Sequence, residues 1–281
     1  MTQTLIASST ARLVAALRAR ATNRPEPLCR DPWAESLAGD EGLELSYRHD
    51  RVYPASELWV ALRTAWIDRR IQALAGSGRS QVVLLGAGLD TRAARLGMEG
   101  VRWFEVDQPA SQALKLERLQ MLEGYPLDAA THVPCNFEED DFLDRLTASG
   151  FSSDEPALFI WEGVTPYLSL EAVRATTGRI AQGCHPQTVL IFDHLEKKLV
   201  DGRSTSEDDR ALREMVDDLG EPFVFGINDP LPLLVDVGFG QVRRVSFDEV
   251  CLSFTGSYDR SRKFRFQHLV EASRDVLVDT W

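Results

Sequence analysis

The stretch Gln81-Val82-Val83-Leu84-Leu85-Gly86-Ala87-Gly88-Leu89-Asp90 decides the fold. Its first half is a short apolar run bounded by Gly78 and Gly86, too short for a helix and rich in valine and leucine. Such a run reads as a strand buried on both faces. Gly86 and Gly88 then allow a tight turn that brings the backbone of Gly86, Ala87 and Gly88 close to a ligand. A helix predicted over 90–96 would present free N–H groups just beyond it. The pattern is not G-x-G-x-x-G, because Thr91 fills the sixth position. On its own it is also compatible with an ordinary strand-to-helix turn.

Four more short apolar runs follow at regular intervals. They are Val101–Val106 ending at Asp107, His132–Phe137, Ala157–Trp161 ending at Glu162, and Thr188–Phe192 ending at Asp193. Helical patterns separate them over 109–122, 141–148 and 170–182, with Pro109 suited to a first helical turn. Strand–helix alternation of this kind predicts an α/β fold with a doubly wound, mostly parallel sheet. Beyond it, 208–219 and 230–237 read as helices. Gln241–Phe247 and Phe264–Val270 read as two further strands able to pair antiparallel at the sheet edge, seven strands in all. Residues 1–78 read as helical and are expected to form a lid beside a sheet domain of residues 79–281.

Asp107 lies 21 residues after Gly86, at the end of the second strand. An acidic residue there accepts hydrogen bonds from ribose hydroxyls in doubly wound folds, at the carboxyl ends of the strands. Preceding Gln108-Pro109, it also reads as a helix cap. Asn136 and Phe137 end the third strand, where an amide can meet a base edge and a phenyl ring can wall in a purine. Glu162 ends the fourth and suits an ammonium. Arg63 is the only charge in Leu58–Ile67. A guanidinium in so apolar a helix needs an anionic partner, either an internal carboxylate or a ligand's. Ribose, purine, ammonium and carboxylate together describe S-adenosylmethionine. A nicotinamide dinucleotide would want a helix N-terminus facing its pyrophosphate.

Composition narrows the class. The chain has 281 residues, 44% of them hydrophobic, enough for a sizeable core. Lys plus Arg is 31 and Asp plus Glu is 43, a formal net charge of −12. That balance argues against nucleic acid or an anionic membrane as the main partner. Cys29, Cys135, Cys184 and Cys251 form no C-x-x-C pair, which points to free thiols in a reducing cytoplasm and to no metal. Met1–Ala21 carries three arginines and does not resemble a signal peptide. No window approaches the ~20 apolar residues of a membrane span.

Three stretches carry a family resemblance. They are Val82-Val83-Leu84-Leu85-Gly86-Ala87-Gly88-Leu89-Asp90-Thr91-Arg92, Phe104-Glu105-Val106-Asp107-Gln108-Pro109 and Trp161-Glu162-Gly163-Val164-Thr165-Pro166-Tyr167-Leu168. Together with Asp31-Pro32-Trp33, Arg63-Thr64 with Asp68, Phe225-Gly226-Ile227 and Gly238-Phe239, they resemble the leucine carboxyl methyltransferase family over about residues 10–245. The resemblance implies a class I, Rossmann-like methyltransferase that uses S-adenosyl-L-methionine and yields S-adenosyl-L-homocysteine. It implies that Gly86, Ala87 and Gly88 line the cofactor turn and that Asp107, with Gln108 beside it, holds the ribose. Asn136 and Phe137 would meet the adenine, Glu162 the methionyl amino group, and Arg63 and Arg20 its carboxylate. Asn136-Phe137 departs from the family's usual Asp-Leu: the amide keeps an acceptor oxygen but loses the charge.

The family suggests an oxygen acceptor on a small molecule, a carboxylate or a phenol of secondary, polyketide-type metabolism. A carboxylate needs no general base at pH 7, whereas a phenol profits from one. His194, read as following the fifth strand, is the candidate base, and Tyr167 the candidate wall of the acceptor pocket. Methylation of a protein C-terminal carboxylate, a non-catalytic cofactor-binding regulator and a nicotinamide-dependent oxidoreductase are the competing readings. Composition says nothing of oligomeric state.

Overall fold

A computed structural model describes residues 9–137 and 139–275. The first eight residues of the expected lid, Glu138 and the last six residues of the expected sheet domain lie outside the described residues.

Three helices come first: α1 (Ser9–Thr22), α2 (Ala34–Asp50, kinked at Gly39) and α3 (Ser56–Ala75). Then strands and helices alternate: β1 (Gln81–Leu85), α4 (Arg92–Arg95), β2 (Arg102–Asp107), α5 (Pro109–Gln120), β3 (Thr131–Pro134), α6 (Phe142–Ala148), β4 (Ala157–Trp161), α7 (Leu170–Gly183) and β5 (Val189–Leu195). The remainder is α8 (Lys197–Val200), α9 (Glu207–Asp218), α10 (Leu231–Val237), β6 (Gln241–Ser246), α11 (Phe247–Thr255) and β7 (Gln267–Ser273). The strands form one sheet in the order β3-β2-β1-β4-β5-β7-β6. Its first five members run parallel, and β7 is antiparallel to both β5 and β6.

Every residue of β1 and β4 is buried, as their unbroken apolar runs require when helices cover both faces. Leu62, Ile67 and Ile71 of α3 pack on one face with Val82 and Leu84. Val173, Ile180 and Ala181 of α7 pack on the other with Val83 and Leu85. Each fully buried aliphatic or phenyl side chain contributes about 1.5–3 kcal/mol relative to exposure. Arg70 of α3 makes a two-bond pair with Glu271 of β7, both bonds 2.8 Å and both side chains buried. This pair fixes the helix across the antiparallel strand.

Three boundaries differ from the sequence reading. The third strand stops at Pro134 instead of Phe137: the Cys135 N–H still reaches the Asp107 carbonyl, but the Asn136 N–H turns to the Asp140 carboxylate at 2.9 Å. The last strand starts at Gln267 instead of Phe264, after a 3-10 turn over Asp259–Phe264, and α11 fills much of the stretch between the two expected strands. A Ser246–Glu249 capping box ends β6 and starts α11 at once. The fifth strand runs on through His194 to Leu195, because β7 supplies ladder partners as far as His194↔His268 and Leu195↔Gln267.

Candidate functional site

The turn after β1 is closed from β2. The Gly86 and Ala87 N–H groups donate to the Val106 carbonyl at 2.8 and 3.2 Å, and the Gly88 N–H donates to Asp107 Oδ2 at 2.6 Å. Gly86 has φ +65°, and a Cβ there would stand 2.6 Å from Val164 Cγ2, so both conformation and space demand glycine. Asp107 Oδ1 accepts from the Gln108 N–H at 2.7 Å. The carboxylate is therefore a turn clasp held by two backbone amides; it does not cap α5, whose N-cap is Gln108 without a side-chain cap bond. Two donors leave part of its acceptor capacity open. Burial raises its pKa, opposed by the two backbone donors.

A cavity of about 640 Å3 lies on this turn, within the range of small-molecule sites. Gly86, Ala87, Gly88, Asp107, Gln108, Phe137, Glu162, Arg63 and Tyr167 all line it. Helices α1, α3 and α9 line it as well, through Leu13, Leu17, Trp59 and Met215 among others.

Glu162 sits at the centre of a buried ionic network. It accepts from Arg63 Nε at 2.7 Å and pairs with Arg92 Nη1 at 2.6 Å. Arg63 also donates to Asp193 Oδ2 at 3.0 Å, so the anionic partners of this arginine include the internal carboxylates left open by the sequence reading. Arg92 further pairs with Asp68 at 2.7 Å and with Asp90, and Arg95 pairs with Asp68. Burial pushes the Glu162 carboxyl up, but Arg92 and Arg63 outweigh it and hold the pKa below the usual range. For Asp193, burial wins over Arg63 and the Gly163 amide, and the pKa is raised.

Three residues fall elsewhere than expected. Arg20 does not line the cavity; its guanidinium is taken by Asp50 and by Glu57 at 2.9 Å. Arg18 stands there instead, donating to Asp31 Oδ2 at 3.0 Å and to the Leu89 carbonyl at 2.6 Å. Residues two apart on a helix are separated by about 200°, so the two arginines look opposite ways. His194, inside β5, turns to the face away from the cavity and stacks on His268 with ring centroids 5.3 Å apart. Burial and His268 lower its pKa to about 4. Asp193, its neighbour, takes the cavity face because strand side chains alternate. Asn136 is likewise outside the cavity lining, while Phe137 is in it.

The reading of the sequence missed Arg18, Arg92, Asp193 and His49. His49 lines the cavity with its Nε2 2.6 Å from Ser56 Oγ. Asp193 ends an apolar run, as Asp107 and Glu162 do, so a signal for it existed. Nothing local distinguishes Arg18 or His49.

The lining fits a cationic nucleoside. Among the described lining residues Asp90, Asp107, Glu162, Asp193 and Glu221 outnumber Arg18 and Arg63, an excess that suits a sulfonium and an ammonium. No described helix is long and apolar enough to cross a membrane.

Comparison with known proteins gives the same answer. Residues 11–181 match the leucine carboxyl methyltransferase family profile. A Mycolicibacterium smegmatis protein provisionally named an S-adenosyl-L-methionine-dependent methyltransferase is 33% identical over 204 residues, 68% of each chain. One from Mycolicibacterium vanbaalenii with the same provisional name is 32% identical over 246 residues, 82% of this chain and 77% of that one. A similar protein from Mycobacterium avium is matched over 59% of its length, so the chain spans about three fifths to three quarters of such relatives. Two solved structures share the fold. One is a DUF574 family protein from Streptomyces avermitilis, with TM-score 0.64, 14% identity and coverage of 93% of this chain and 97% of that one. The other, from Thermobifida fusca and provisionally called a methyltransferase, has TM-score 0.63 and 16% identity, with coverage of 95% and 94%. The chain belongs to the leucine carboxyl methyltransferase family and is an S-adenosyl-L-methionine-dependent methyltransferase.

Proposed function

We propose that the chain transfers the methyl group to an oxygen of a small molecule, with residues 79–281 holding the donor and the helices of residues 1–78 covering it as a lid. The observation that carries this reading is the Asp107 clasp on the Gly86–Gly88 turn, with the cavity directly on it. In this reading Asp107 accepts from the ribose hydroxyls with its remaining lone pairs. Phe137 walls the base, and Gln108 borders it. Glu162, Asp193 and Arg63 form the polar end for the amino-acid portion, with Arg18 alongside in the place first given to Arg20. The bound donor supplies a sulfonium methyl open to in-line displacement. The chain's own part is to fix that methyl, set the acceptor about 3 Å away on the far side from sulfur, and exclude water with α1, α3 and α9. Tyr167 borders the acceptor end, and the neutral, turned-away His194 has no part in the transfer.

A cavity covered by helices favours a small acceptor over a protein tail, which needs an open groove. Calorimetry with S-adenosylhomocysteine and with NAD, followed by a radiolabelled methyl-transfer assay, tests the reading. Micromolar binding of the first ligand and none of the second is expected. Binding of NAD alone would overturn it, and donor binding without turnover on any acceptor would leave a regulatory protein.

A further inference from the structure

Besides its polar groups, the cavity is lined by the apolar side chains of Leu13, Leu17, Trp59, Val60, Met215 and Phe223. Its charges decide which acceptor fits. Among the described lining residues the two arginines are both committed to protein acceptors: Arg18 to Asp31 and the Leu89 carbonyl, Arg63 to Glu162 and Asp193. The one lining histidine, His49, offers no cation. Burial and the nearby Arg20 lower its pKa to about 4, with Asp50 opposing. It offers no spare donor either. Its Nδ1 faces the Met215 thioether and its Nε2 the Ser56 hydroxyl, so both ring nitrogens already have neighbours. Glu221 adds a further carboxylate to the wall. There its carboxylate accepts from the Thr10 hydroxyl, and Thr10 hydrogen-bonds to Tyr167.

We propose that the acceptor is an uncharged hydroxyl on an apolar, ring-bearing molecule and not a carboxylate, and that Glu221 receives its proton. This rests on the methyl-transfer reading above, in which Arg18 and Arg63 serve the donor's amino-acid portion. A second carboxylate would lose its hydration among these apolar side chains, find no further cation among the described lining residues, and face Glu162, Asp193 and Glu221. A hydroxyl carries no such penalty and donates to a carboxylate. In the step, the hydroxyl oxygen's lone pair forms the new O–C bond while the methyl–sulfur bond breaks and leaves its pair on sulfur. The hydroxyl proton passes to the Glu221 carboxylate and from there to solvent. The product is an ether.

The test uses the full chain, S-adenosylhomocysteine, and the matched pair 2-naphthol and 2-naphthoate. Calorimetry with S-adenosylhomocysteine alone comes first, and its failure would sink the methyl-transfer reading itself. With that ligand bound, 2-naphthol should bind at least about tenfold more tightly than 2-naphthoate. Radiolabelled transfer should give an alkali-stable product. Glu221→Gln should lower kcat on 2-naphthol by on the order of 100-fold. It should leave donor affinity unchanged and bring 2-naphthoate binding closer to that of 2-naphthol. Equal or tighter 2-naphthoate binding, an alkali-labile ester, or no binding of either ring while S-adenosylhomocysteine binds would each overturn the hydroxyl assignment. Full kcat in Glu221→Gln would overturn the proton acceptor.

Discussion

The two ends of the cavity are built from different materials. Beneath β1 and β2 the walls are mostly backbone: N–H groups of Gly86, Ala87 and Gly88, one carboxylate, and a phenyl ring. Beneath α1, α3 and α9 they are side chains from elements far apart in the chain, backed by buried ion pairs. A backbone wall has little freedom to vary, since any side chain at Gly86 collides with Val164. A side-chain wall can change its chemistry residue by residue while the sheet stays put. The first wall therefore suits a ligand part of fixed shape, and the second can be altered one side chain at a time around it.

Substitutions at five positions probe that contrast, the largest effect first. Glu162→Ala removes the carboxylate between Arg63 and Arg92 and leaves two buried guanidinium groups short of a partner. Breaking such a pair costs about 3–5 kcal/mol, and denaturant unfolding should show it as a lower midpoint. A change within about 1 kcal/mol would mean that the network is wet and not a structural hub. Asp107→Ala should act on binding more than on folding, weakening S-adenosylhomocysteine on the order of 100-fold by calorimetry. Asp107→Asn keeps one acceptor oxygen and should recover part of that loss.

Arg18→Met and Arg20→Met, compared directly, sharpen the assignment at the second end. The first strands the buried Asp31 and borders the cavity, so S-adenosylhomocysteine affinity and stability should both fall, stability by about 2–3 kcal/mol. The second disturbs pairs nearer the surface and should stay within about 1 kcal/mol, with affinity unchanged. The reverse ranking would restore Arg20 to the site.

Acid should reveal the smallest effect. His49 and His194 have folded pKa values lowered to about 4, against about 6.5 in the unfolded chain. Their contribution is intact above about pH 6.5 and is lost as pH falls toward 4, because the unfolded state takes up protons first. The Tm should decline across that window, and His194→Asn should make the decline shallower while leaving the pH profile of kcat untouched. A changed kcat profile would return His194 to catalysis.

Much of the donor end was legible because its signals are local. Unbroken apolar runs mark β1 and β4, and acidic residues close β2 and β4 at the sheet's carboxyl edge. His194 shows where locality fails. The run Thr188–Phe192 stops two residues before it, yet the strand continues because β7, some 70 residues later, pairs with it. Three residues of extra ladder carry the strand alternation past Phe192, putting Asp193 in the cavity and His194 behind the sheet. Arg18 and Arg20 differ only by rotation about α1, and no property of either residue says which way the helix is turned.

From the residues alone came the doubly wound sheet, the Gly86–Gly88 turn, the acidic residue that closes β2 and the family that carries them. Each depends on spacing along the chain, which folding does not alter. The tertiary structure alone decided which arginine and which histidine line the cavity, and that the arginines there are paired with carboxylates of the chain. Those outcomes depend on how α1, α3 and α9 are rotated onto the sheet, a matter of packing between residues up to about two hundred positions apart.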